Sequence, residues 1–227
     1  LWLLALEQTA ARGRRGRSWA QPADNFGASL LLYPESPAAA AQHSFVAALG
    51  LFDALIDATG RAESFALKWP NDVLLSGRKL AGILLETSGP AGGPLALAIG
   101  FGVNLRAAPA TDTLEPGATP AISLVDGTGV TLSPAEFLDL LAPAVDAWEG
   151  RYRAEGFAPL RNAWLARAAR LGETMTARLP GREIRGRFET IDETGALVLV
   201  TAEGRVALPA GEVFFGSAEG AGHAPGH

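Results

Sequence analysis

Unbroken apolar runs and helix-spaced apolar stripes alternate along this chain. Residues 1–6 (Leu-Trp-Leu-Leu-Ala-Leu) and Gly27–Tyr33, which stops at Pro34, predict buried strands. From about Ala40 to Ala58, the residues Phe45, Leu49, Phe52, Leu55 and Ile56 recur at intervals of three and four. That spacing predicts an amphipathic helix ending before Gly60. Phe65–Trp69, Lys79–Glu86 and Leu95–Gly102 predict three more strands. Ser76-Gly77-Arg78 reads as a hairpin turn, and residues 89–94 as a loose loop of Gly, Pro and Ala.

Residues 106–120 are rich in Pro, Ala, Thr and Gly and have no period, which predicts a surface loop. Ser133-Pro134 followed by Glu136 is a capping-box start for a helix whose apolar face is Phe137, Leu140, Leu141, Val145 and Trp148. Another helix is expected at about Pro159–Ala169. After Gly172 the rhythm shortens to strands at Thr174–Leu179, Arg182–Ile191, Ala196–Thr201 and Arg205–Leu208. We therefore expect a main domain over 1–171, a small SH3-like barrel over 172–216 and a disordered tail over 217–227. The barrel is marginal for stability on its own.

With 227 residues, nearly half of them apolar, the chain can bury a real core. The sequence holds no uninterrupted apolar run of about eighteen residues and no secretory-signal pattern, so it reads as cytoplasmic, with no membrane partner. Having no cysteine excludes disulfides, thiolate zinc sites and cysteine nucleophiles. Of three histidines, His223 and His227 lie in the tail, so the metal to expect is Mg²⁺ on oxygen ligands. A net charge of −5 argues against nucleic acid as a partner. Against that acidic background, Ala11–Trp19 gathers four of the nineteen Lys and Arg residues (Arg12, Arg14, Arg15, Arg17) with Gly13 and Gly16. Guanidinium forks on a glycine-rich loop ask for an anion such as phosphate or carboxylate.

Three further segments carry chemistry. Lys68-Trp69-Pro70-Asn71-Asp72 puts an ammonium and a carboxylate around a turn. Arg78-Lys79-Leu80-Ala81-Gly82-Ile83 runs from two cations into a strand containing a glycine. Ile99-Gly100-Phe101-Gly102-Val103-Asn104 is a strand with one face bare, ending in an amide. A lone cation or glycine is commonplace; together these segments supply cations, a carboxylate and a glycine-lined slot.

These four motifs, in this order, resemble those of the biotin protein ligases, over roughly residues 2–216. The resemblance implies an α+β fold, with a class II synthetase-like mixed sheet and helices followed by the small SH3-like β-barrel. It also implies a two-step ATP-dependent reaction: biotin and MgATP give biotinyl-5′-AMP, and a lysine of a biotin carboxyl carrier domain then takes the biotin. It assigns Arg14 and Lys68 as catalytic. Gln8, Arg12, Gly13, Arg14, Lys68, Gly82, Gly100 and Gly102 fall to biotin, Arg17, Trp19, Lys79 and Asn104 to ATP, and Asp72 to the metal, with Asn71 orienting Asp72. A homodimer through the main sheet is in keeping with the family. This chain departs from the pattern in carrying Ala11 where most members have glycine. It also begins after the family's Ser-Thr-Asn segment, from which we expect a missing N-terminal portion and weaker biotin binding. Two other readings stay open: a lipoate or octanoate ligase or transferase of the same fold, and a non-catalytic module that binds the carrier.

Overall fold

A six-stranded antiparallel sheet forms the body of the protein in a computed structural model that describes residues 1–13, 16, 19, 22–89, 93–109, 119–179, 181–209 and 211–214. Its strands are β1 (Trp2–Leu4), β2 (Phe26–Leu32), β3 (Phe65–Lys68), β4 (Asp72–Leu75), β5 (Arg78–Ser88) and β6 (Ala96–Val103). They lie in the order β1-β2-β6-β5-β4-β3. Among the described residues, two isolated bridges are parallel, Leu67 with Ala168 and Lys79 with Ala121. One face is covered by α1 (Pro37–Thr59), over β3 to β6, and by α3 (Pro134–Glu155), over β1 and β2; the two helices also pack on each other. A short helix, α2 (Leu124–Thr128), precedes α3, and α4 (Phe157–Leu165) follows it.

The second sheet holds β7 (Thr174–Leu179), β8 (Arg182–Ile191), β9 (Leu197–Thr201), β10 (Gly204–Leu208) and β11 (Glu212–Phe214), in the order β10-β9-β8-β7-β11, all antiparallel. Its core is continuous with that of the main sheet. Trp164 on α4 stands between them, 5.7 Å from Phe45 and 6.5 Å from Phe188 between ring centroids.

Local chemistry explains the helix boundaries. The Ser36 hydroxyl caps α1 by accepting from the Ala39 amide, Pro37 occupies the first turn, and Gly60 ends the helix at φ 69°. The helix starts three residues before the expected Ala40 because its first turn is alanine, which carries no apolar stripe. The capping box at α3 forms as expected: the Ser133 amide donates to Glu136 at 2.8 Å, and the Glu136 amide to Ser133 at 3.3 Å. α4 spans Phe157–Leu165 rather than 159–169, since residues 167–169 leave the helix to pair with Leu67.

α2, β4, β11 and a single 3-10 turn at Ala62–Ser64 were not anticipated. β4 is four residues led by an aspartate, too short for a pattern, but pairing on both sides buries Val73, Leu74 and Leu75. The expected 217–227 tail and most of the 106–120 loop lie outside the described residues. α1 is long and apolar enough to cross a bilayer by length and composition, and about two-thirds of it is buried here against the sheet and α3.

One buried ion pair locks α1 to α3. His43 Nδ1 lies 2.6 Å from the Ala39 carbonyl and Nε2 lies 3.0 Å from Glu149 Oε2. A carbonyl oxygen only accepts, so Nδ1–H donates to Ala39, and the carboxylate beside Nε2 favours the imidazolium form of the ring. Burial pushes the His43 pKa down, but the bonds to Glu149 and Ala39 outweigh it and the net shift is upward, against a smaller opposing push from Arg153. The bond from His43 holds Glu149 below its ordinary value despite burial. A raised histidine contributes stability that is complete below its ordinary 6.5 and disappears as pH climbs through the raised value. The glutamate's share is present above its ordinary 4.5 and is lost as pH falls through the lowered one. The urea midpoint of the parent should therefore fall as pH rises above 6.5. His43→Gln should remove that decline, as read by equilibrium denaturation from pH 5 to 9.

Candidate active site

Cross-strand register assembles the site. Lys68 on β3 pairs with Asp72 on β4, Asp72 with Gly82 on β5, Gly82 with Gly102 on β6, and Gly102 with Gly27 on β2. Residues directly opposite one another share a face. One row of the sheet thus presents an ammonium, a carboxylate and three glycines on the face turned away from α1. Gly100 belongs to the next row on the same face, opposite Leu84 and Ser29.

Trp19 lies on this row. A Cβ added to Gly102 would stand 2.6 Å from Trp19 Cε2, and one on Gly82 would stand 3.2 Å from Cζ3, so the two glycines make room for the indole. The Trp19 amide donates to the Ala11 carbonyl at 3.0 Å, which closes the base of the arginine loop. Lys79 Nζ sits 5.7 Å from the Trp19 ring centroid and 2.7 Å from Asp72 Oδ1. Trp19, Lys79, Asp72, Gly82 and Gly102 therefore share one spot on the sheet.

Lys68 is only 8% exposed, and its ammonium donates to Thr119 Oγ1 at 2.8 Å. Thr119 opens a segment that takes over beside β5 where β6 leaves it: the Lys79 amide donates to the Pro120 carbonyl, and the Ile122 amide to the Lys79 carbonyl. Asn104, 1% exposed, braces this segment. Its Nδ2 donates to the Ile122 carbonyl at 3.3 Å and its own carbonyl accepts from the Leu124 amide at 2.7 Å, while Oδ1 is buried without a hydrogen-bond donor. The Arg78 guanidinium reaches the same segment at the Ala121 carbonyl, 2.6 Å away.

Several sequence expectations are refined by this geometry. Asn71 was expected to orient Asp72; its amide donates instead to the Ile83 carbonyl, tying the turn to β5. Asn104 is turned into the protein as a brace. Gly82 and Gly102 meet an indole, and the space beside Gly100 is limited only by ordinary contact with Leu84. Gln8 and Gly13 are half-buried and Arg12 is exposed. Arg14, Arg15 and Arg17 lie outside the described residues. Thr119 and Gly27 escaped the sequence reading: Thr119 sits in a stretch without periodicity, and Gly27 looked like the start of a strand. Among the described residues no group of three or more His, Cys, Asp or Glu is placed to hold a metal ion.

Comparison with known proteins is consistent across sequence and fold. Residues 2–104 match the biotin/lipoate A/B protein ligase family, and residues 171–216 match the biotin protein ligase C terminal domain. A biotin--[acetyl-CoA-carboxylase] ligase of Paracoccus denitrificans is 58% identical over 95% of this chain and 90% of its own length. The bifunctional ligase/repressor BirA of Bacillus subtilis is 30% identical over 89% of this chain, which spans 62% of that protein. The structure of a biotin protein ligase from Aquifex aeolicus in complex with biotin and ATP superposes with a TM-score of 0.79 at 28% identity, covering 93% of this chain and 87% of the other.

The seat of Trp19 is testable without any ligand. Gly102→Ala should drive the indole off the sheet and increase acrylamide quenching of tryptophan fluorescence. In a Trp19→Phe background, the same substitution should change quenching little.

Proposed function

The chain belongs to the biotin--[acetyl-CoA-carboxylase] ligases, and from that membership we propose how its residues divide the work. The enzyme is an ATP-dependent ligase, with biotin and ATP as substrates and acetyl-CoA carboxylase as the protein that receives biotin. In the first step a biotin carboxylate oxygen attacks the α-phosphorus of ATP. The bond to pyrophosphate breaks, leaving biotinyl-5′-AMP. In the second step the neutral amine of a carrier-domain lysine attacks the acyl carbon, an amide forms, and AMP departs as the amine gives up its proton. Residues 1–171 act as the catalytic domain and 172–216 as a smaller domain docked on it.

The continuous register row from Lys68 to Gly27 carries this reading. A carboxylate must approach a polyphosphate, so the site has to neutralise like charge without side chains that block the approach. Lys68 fulfils the first need at the point of reaction, binding the biotin carboxylate and the charge that accumulates on the α-phosphate, then the departing AMP. Gly100, beside the indole-covered Gly82 and Gly102, leaves room for the flat bicyclic ring of biotin, with Gln8 at its edge. Arg12, Gly13 and Arg14 belong to the loop that neutralises the adenylate phosphate, with Arg14 in direct contact.

On the ATP side, Lys79, held between Asp72 and Trp19, meets the phosphates, and Arg17 assists it. Asn104 acts on ATP through the segment it braces. Mg²⁺ brought with ATP would offset phosphate charge, and Asp72 is the residue here that would offer it a carboxylate. Having no nucleophile and base pair to set up, the chain relies on positioning and electrostatics for its rate.

Removing one preorganised donor to developing charge typically costs about 10²–10³ in rate. Lys68→Ala should thus slow biotin-dependent pyrophosphate release by at least about a hundredfold while leaving the thermal unfolding curve near that of the parent. Release at the parental rate would remove Lys68 from the site. Stimulation of the parent enzyme by lipoate or octanoate, with none by biotin, would reverse the choice of substrate.

A further inference from the structure

We infer that Trp69 is a positioning residue through which the second sheet aims Lys68; the inference rests on the reading of Lys68 as the central cation of the site. A lysine swings on four rotatable bonds, so its ammonium is directed only as well as its backbone is held. Along a strand, neighbours face opposite ways. Leu67 and Trp69 are buried in the core, at 0% and 5% exposure, and Lys68 between them turns to the glycine face.

Both neighbours are fastened by chain that follows α4. The Leu67 amide donates to the Arg167 carbonyl at 2.8 Å, and the Leu67 carbonyl accepts from the Ala169 amide at 2.7 Å. The Trp69 indole Nε1 donates to the Gly195 carbonyl at 3.2 Å, in the turn between β8 and β9. The backbone at Gly211, just before β11, comes against the same ring: a Cβ there would stand 3.7 Å from Trp69.

The accepting carbonyl is itself set in place. Asp192 Oδ1 accepts from the Thr194 amide at 2.8 Å, the Thr194 hydroxyl at 2.7 Å and the Ala196 amide at 3.0 Å, closing the turn on one side-chain oxygen. Gly195 adopts φ +89°, and a Cβ there would approach the Phe45 ring to 2.9 Å, so the turn sits directly on α1. A line of contacts therefore runs from Asp192 through the Gly195 carbonyl and the Trp69 indole to the backbone of Lys68. At its far end the Lys68 ammonium meets Thr119. The charge that Lys68 meets grows in the transition state, so misplacing it lowers kcat more than it alters substrate binding.

Initial rates of biotin-dependent pyrophosphate release by the full chain test this. Trp69→Phe keeps an aromatic side chain but loses the N–H and the five-membered ring that carries it; it should lower kcat about tenfold, with KM for biotin and ATP within about twofold of the parent. Asp192→Ala should have the same effect, and Asp192→Asn, whose side-chain oxygen accepts the same bonds, should restore the parental rate. In a Lys68→Ala background, Trp69→Phe should cost nothing further, because it acts through the missing ammonium. Parental kcat in Trp69→Phe while Lys68→Ala is slow overturns the inference, as does an equal loss from Trp69→Phe with and without Lys68. A Lys68→Ala enzyme as fast as the parent overturns the reading of the site itself. Should circular dichroism show Trp69→Phe unfolded, the Asp192 pair decides: loss in Asp192→Ala with recovery in Asp192→Asn supports the link, and equal rates in the two overturn it.

Discussion

A sheet with a row of glycines on one face has to find nearly all its apolar burial on the other. Gly27, Gly82 and Gly102 contribute no side chain to the row they share with Lys68 and Asp72, and each costs conformational entropy of roughly 0.5–1 kcal/mol relative to alanine. The alternate positions Leu67, Val73, Ile83, Phe101 and Ala28 are at most 3% exposed. At roughly 1.5–3 kcal/mol for each large side chain buried, that face outweighs what the glycines forgo. The same demand explains why α1 is buried on almost every side: it is wedged between this apolar face and α3, and helices that cover such a face have little use for polar residues.

Charge follows an equally simple logic. The Lys79–Asp72 pair is partly exposed, at 30% and 15% for the two side chains, and pairs of that kind add little stability. Its value lies in placement. The carboxylate keeps an ammonium over the Trp19 ring that would otherwise sweep through solvent. Lys68 is placed differently: it is buried, and its ammonium donates to the Thr119 hydroxyl. One cation is half-exposed over an indole and the other lies within the protein. This division sits on a chain whose overall charge is negative.

Much of this was legible from residue order. Helix α3 announced itself through Ser133 and Glu136, and the hairpin before β5 through Ser76-Gly77, which adopt φ 49° and 75°. The ordered motifs pointed to the right chemistry, because cations and glycines at those spacings have few other uses in combination. What escaped depends on tertiary pairing. β4 is a strand only because β3 and β5 flank it, and α2 is one capped turn. Thr119 acquires its place from the segment that continues the sheet beside Lys79. Asn71 was read as orienting Asp72 and Asn104 as lying near ATP; their side chains donate to the Ile83 and Ile122 carbonyls, ties that amide side chains do not advertise in sequence.

Helix α1 sets a condition on how the chain reaches this state. It is synthesised before β3 to β6 and before α3, the elements that cover it. Until those arrive, a helix apolar enough to pass for a bilayer span lacks the elements that bury it in the folded chain. Nascent chains with such exposed surface are prone to associate with one another and to engage chaperones. The compact enzyme is thus reached through an interval of vulnerability on the ribosome that closes only when the second half of the sheet and α3 are in place.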